Sequence, residues 1–90
     1  MNRKSIAFLT LSLTHTGGTL NSIEYAKALI KYWGIESCFV LKDPRSADHD
    51  PRALTLITDN FSVKYFSEGN LIGALSDLYS TGSVYAFYHV

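Results

Sequence analysis

A chain that runs the apolar segment Ile6-Ala7-Phe8-Leu9-Thr10-Leu11 into a glycine pair, Gly17-Gly18, and then into an amphipathic helix pattern has few ways to fold. Residues 5–13 are apolar at odd and even positions alike, the pattern of a central parallel strand covered on both faces rather than a half-solvated antiparallel one. Parallel neighbours need a crossover, and the segment after the glycines supplies one. From about Thr19, the residues Leu20, Ile23, Ala26, Ile30 and Trp33 share one side of a helix, with Leu29 widening the stripe. Asn21, Glu24, Lys27 and Lys31 lie toward water. Gly34 offers a left-handed stop, and the lysines near the end suit the negative pole of the helix dipole.

The same rhythm continues. Residues 36–41 read as a second strand, rich in aromatic and branched side chains. Residues 42–52 read as an exposed polar loop holding Pro44, Pro51 and the aspartates Asp43, Asp48 and Asp50. Residues 53–58 fit either a short helix or an extended segment. In residues 61–66 Phe61, Val63 and Tyr65 alternate with Ser62 and Lys64, as in a strand. A helix over 69–79 puts Leu71, Leu75 and Leu78 on one face beside Ile72 and Tyr79, capped by Ser67 or Asn70, and a last strand over 84–89 follows Gly82. Alternating strands and helices predict an α/β fold: one domain over 1–90, three-layered and Rossmann-like, with a mostly parallel sheet of about four strands. Trp33, Tyr25, Tyr32 and Tyr79 are expected to pack between helix and sheet.

Composition excludes several functions. Ninety residues make one small domain, and eight basic and eight acidic side chains cancel, so the chain has no net attraction for nucleic acid or anionic lipid and no nucleic-acid partner is expected. Cys38 is the one cysteine, which rules out an intrachain disulfide and a cysteine-based zinc cluster; its apolar neighbours predict a buried, inert thiol. Asn2-Arg3-Lys4 ahead of an apolar run has the look of a signal peptide, but the run is short, no small-x-small site follows, and the chain continues into a patterned helix. No run approaches the length of a membrane span, and a cytoplasmic protein is expected.

The glycine pair falls where a strand's carboxyl end meets a helix's amino end. Helix N-termini present unpaired N–H groups and a partial positive charge, and glycines let an anion approach them, so Gly17 and Gly18, with Thr16 and His15 beside them, are candidate binding residues. The alternative is a tight turn that needs glycine's backbone freedom. The dinucleotide fingerprint Gly-x-Gly-x-x-Gly and the P-loop Gly-Lys-Ser/Thr are both absent, so no nicotinamide or flavin cofactor is expected, although Asp43 lies at a tolerable spacing for a ribose. In a parallel sheet the ligand crevice lies beyond the carboxyl ends of the strands. Residues 14–18, Lys42 with Asp43, and His89 should converge there. His49 is expected to be exposed, and Asp48, His49 and Asp50, being adjacent, cannot readily all face one ion, so no metal is expected.

A basic residue before an apolar strand, Gly17-Gly18, the helix segment Glu24-Tyr25-Ala26-Lys27-Ala28-Leu29, Gly34 and a second strand resemble the amino-terminal start of GT-B fold glycosyltransferases, most of all the family 4 retaining enzymes. Ser83-Val84-Tyr85-Ala86-Phe87-Tyr88-His89 is similar to a strand that in this family leads to a histidine-containing segment. The resemblance spans nearly all of the chain through short motifs. It implies an acceptor-side domain of an enzyme moving a sugar from a nucleotide-sugar donor to a glycan or lipid acceptor. Gly17 and Gly18 then match the glycine-rich loop near the donor diphosphate, with Thr16 and His15 adjoining, and His89 is the candidate for the catalytic region. The donor would be held mainly by a carboxyl-terminal domain beyond these residues, and the chain alone is expected to be an inactive, truncated portion. Peripheral membrane association and a homo-oligomer are further expectations of this reading. The alternative is a small noncatalytic α/β module that binds a nucleotide or a protein.

Overall fold

The computed structural model describes residues 5–10, 13–45, 48–67, 69–80 and 86–89. They form a small α/β fold in the order β1 (Ser5–Thr10), α1 (Gly17–Trp33), β2 (Glu36–Lys42), α2 (Pro51–Asn60), β3 (Ser62–Phe66), α3 (Leu71–Ser80) and β4 (Ala86–His89). The sheet runs β3-β2-β1-β4, and β1 pairs in parallel with both β2 and β4, as β2 does with β3. Phe8 lies opposite Phe39, and Leu9 opposite both Val40 and His89. Val84, Gly82 and Leu11, which the sequence places in or beside strands, lie outside the described residues.

Alternation along the central strands explains how both faces are covered. Phe8, Phe39 and Leu41 point to the face where Ile23, Ala26 and Leu29 of α1 and Ala53 and Ile57 of α2 pack, all buried. Ala7 and Val40 point the other way, toward Ala74 of α3 and Phe66. On the first face the rings of Phe8 and Phe39 stack at 5.2 Å between centroids, and Phe39 meets Phe61 at 5.1 Å, a row of aromatics across three elements. Each such buried side chain contributes about 1.5–3 kcal/mol relative to exposure.

The helix ends follow from local chemistry. Gly34 closes α1 at φ 66°, with its N–H on the Ile30 carbonyl at 3.2 Å and the Ile35 N–H on that of Leu29 at 3.1 Å, so two of the last carbonyls are satisfied. α2 begins inside the segment read as polar loop. Asp50 caps it by accepting the Arg52 N–H at 2.8 Å, and Pro51 fills the first helical position, where a missing N–H costs nothing. The helix extends to Asn60, which resolves residues 53–58 as helical and makes Phe61 the closing residue of α2 rather than the start of β3.

The expected stripe on α1 is also corrected. The buried residues are Thr19, Ser22, Ile23, Ala26 and Leu29, an arc centred on small side chains that let the helix sit close to the sheet. Ile30 and Trp33, in the last turn of the helix, are more than half exposed. Tyr32 and Tyr79 are exposed as well, not packed between helix and sheet, while Tyr25, also mostly exposed, meets the Phe8 ring of β1 at 6.4 Å between centroids.

Candidate functional site

Because β1, β2 and β4 run parallel, their carboxyl ends share one edge, where the chain leaves β1 for α1 and β2 for α2. The two connections face each other across an open groove of about 420 Å³, with residues 13–16 on one wall and 48–52 on the other. A second concavity, of about 370 Å³, lies at the opposite edge between α1 and the end of α2.

The first wall leads into the amino end of α1. Thr16 is the N-cap residue, with extended backbone, but its side chain makes no capping hydrogen bond. Its hydroxyl is 2.6 Å from that of Thr14 instead, while the buried Thr19 hydroxyl accepts the Thr14 N–H at 3.3 Å. The first intrahelical bond of the turn runs from the Leu20 N–H to the Thr16 carbonyl at 2.9 Å, so the N–H groups of Gly17, Gly18 and Thr19 precede the ladder. No acidic side chain stands in this first turn to offset the positive pole of the helix.

Gly17 and Gly18 are exposed, and neither has the positive φ that would demand glycine; that conformation occurs at Gly34 and Gly69. A Cβ built on either would meet nothing within 4 Å. Neither backbone shape nor packing against the protein accounts for the pair. What the two glycines do is leave open space where a side chain would stand, in the first turn of the helix.

The second wall is braced by His49, which is half-buried rather than exposed as its aspartate-rich surroundings imply. Its Nδ1 accepts the Leu13 N–H at 3.0 Å, and its Nε2 lies 2.7 Å from the Lys42 carbonyl. The Asp50 N–H adds a bond to the Leu13 carbonyl at 3.0 Å. Next to it, the Arg52 guanidinium hydrogen-bonds the Asp50 carboxylate at 3.1 Å and holds its pKa down at about 2. Arg45 does the same for Asp43 at the end of β2, through a side-chain bond of 2.8 Å and a backbone bond of 2.9 Å, again lowering the carboxyl to about 2. Both carboxylate oxygens of Asp43 are engaged by Arg45, so the ribose contact its spacing allows would have to displace an ion pair. Cys38 is half-buried, and desolvation raises its pKa, which keeps the thiol protonated.

The chain matches no protein-family model, no curated protein and no solved structure.

The edge thus gathers the candidates unevenly. Thr16, Gly17 and Gly18 are exposed beside the groove, and His15 is half-buried within its lining. The backbone of His89 pairs with Leu9 at the same end of the sheet, one strand away. Lys42 enters through its carbonyl, as the acceptor for His49. Sequence reasoning assigns no part in the site to His49 or Arg52. Arg52 can be found from Asp50-Pro51, which marks a capped helix start and so moves the arginine from loop to first turn. His49 has no local signal, because its two partners are seven and 36 positions away. Among the described residues no three His, Cys, Asp or Glu side chains are grouped to hold a metal ion, and no helix is long and apolar enough to cross a membrane.

Proposed function

We propose that this fold is Rossmann-like and that its carboxyl edge receives the diphosphate of a nucleotide sugar, as the acceptor-side portion of a GT-B type glycosyltransferase. The strand order β3-β2-β1-β4 supports the first part, since it reverses direction at β1 and puts the turn after β1 at the switch point where such sheets bind ligands. The observation that carries the second is the open space where side chains would stand on Gly17 and Gly18, at a helix N-terminus with no capping side chain and no acidic residue in its first turn. In this reading the first-turn N–H groups meet phosphate oxygens, the linked hydroxyls of Thr14 and Thr16 add a donor, and Arg52, already held by Asp50, shares its charge with the phosphate across the groove. His89, at the end of β4, is the candidate for the catalytic region. Transfer itself requires a second, donor-binding domain, so these residues alone bind weakly and do not turn over.

The test is titration of the ninety-residue chain with UDP-glucose, followed by amide chemical shifts. Expected are millimolar binding, perturbations centred on residues 14–19, and at least fivefold weaker binding in Gly18→Val with the fold retained. Perturbations elsewhere, or a Gly18→Val variant that binds as the parent does, would overturn the reading.

A noncatalytic protein-binding module is the second reading. Tyr25 and Tyr32, more than 60% exposed, favour it, since both lie on one flank of α1. Sedimentation and binding studies of Tyr25→Ser with Tyr32→Ser separate the two, because the nucleotide reading leaves this flank idle.

A further inference from the structure

We infer that His49 is a positioning residue that latches the turn after β1 to the end of β2, and that the latch opens when the ring takes up a second proton. The geometry fixes the tautomer. A backbone carbonyl can only accept, so the Nε2 that lies 2.7 Å from the Lys42 oxygen carries the hydrogen. Nδ1 then keeps its lone pair, which the Leu13 N–H uses at 3.0 Å. Both ring nitrogens are committed, Nε2 as donor and Nδ1 as acceptor. Its neighbour Asp50 donates its own N–H to the Leu13 carbonyl, so the two polar backbone groups of Leu13 both end on residues 49 and 50.

Leu13 is buried at 2% exposure, and the groove's first wall begins with it. A second proton on the ring turns Nδ1 into a donor facing a donor. The Leu13 N–H loses its acceptor in a place where water cannot easily replace it, and the turn carrying Thr14 to Gly18 loses one of its two ties to the second wall. The groove is therefore held shaped while the ring carries one proton and loosened when it carries two. The charged and titratable groups around the ring are Asp48 and Asp50 on its own loop, Arg52 on α2, His15 on the opposite wall, and Lys42 with the Asp43–Arg45 pair at the end of β2. Asp50 and Asp43 already hold arginines, with pKa values of about 2, so neither changes charge across the range in which a histidine does. The latch does not depend on what the groove holds, so its failure leaves the nucleotide-sugar reading standing.

Nitrogen-15 spectra of the His49 ring and the hydrogen-exchange protection of the Leu13 amide, measured on the whole chain between pH 7.5 and 5, test it. Expected at pH 7.5 is a ring protonated on Nε2 alone. Protection of Leu13 then falls about fivefold to tenfold as the ring becomes charged, the scale of one hydrogen bond. His15→Asn keeps this profile. His49→Asn, which retains an acceptor near the Nδ1 position but cannot titrate, loses the pH dependence. A ring protonated on Nδ1 at neutral pH, a ring still neutral at pH 5, or Leu13 protection that does not change as the ring charges would overturn the latch, and these need only the unmodified protein.

Discussion

At the scale of single residues, the two glycines before α1 separate conformational need from openness. Neither Gly17 nor Gly18 has a positive φ, and a methyl group on either would have no neighbour within 4 Å, so alanine can take either place without strain. Gly17→Ala and Gly18→Ala should each stabilise the fold, by about 0.4–1 kcal/mol through a less flexible unfolded chain, as read by the urea midpoint. A loss of stability in either would show that the backbone there does need glycine. Stabilising changes that weaken UDP-glucose binding would mark positions where stability has been given up for access. The glycines are plain in the sequence, but their reason is not: strand, turn and helix read the same whether the pair serves the backbone or the space outside it. Only the φ values and the neighbouring atoms distinguish the two.

At the scale of elements, α2 shows how a cap defines a helix that periodicity leaves undecided. Its ten residues give too few turns for the spacing of Leu54, Leu56 and Ile57 to exclude a strand, whereas Asp50 and Pro51 specify a helix start by themselves. The longer α1, with its Gly34 stop, is legible because 17 residues repeat the pattern often enough. Its rotation is less so, since small buried residues such as Ser22 and Thr19 do not announce themselves as core. Removing the cap with Asp50→Ala should lower the urea midpoint at neutral pH. The sign with pH follows from the depressed carboxyl. Asp50 titrates at about 2 in the fold against an ordinary 3.8, so its contribution is complete above that ordinary value and is lost as pH falls from there through about 2. Denaturation curves of parent and variant should converge over that window. High salt should shrink the gap, because the Arg52 side of the pair is largely exposed.

For the whole molecule, the aromatic row through Phe8, Phe39 and Phe61 joins the sheet to both helices of one face. Phe39 is 1% exposed at its centre. Phe39→Ala should cost about 3–5 kcal/mol, a large share of the roughly 5–15 kcal/mol typical of a domain, and leave much of the chain unfolded at body temperature by circular dichroism. A folded Phe39→Ala variant with only a small loss would mean that the face can collapse onto the gap. The α/β alternation and the parallel pairing are readable from apolar runs covered on both sides. The bridge from His49 across the groove is not, because such contacts join residues that only the finished sheet brings together.

The place of β1 has a consequence for how the protein is made. It is the first described strand to leave the ribosome, yet it lies between β2 and β4, and Ile6 meets Ala86, far along the chain. Until β4 emerges, one side of β1 is an open row of backbone donors and acceptors on an otherwise assembled sheet. Pairings so distant in sequence form slowly. The nascent chain therefore passes through a stage in which a strand that ends up inside the sheet is an edge, open during synthesis to pairing with a neighbour.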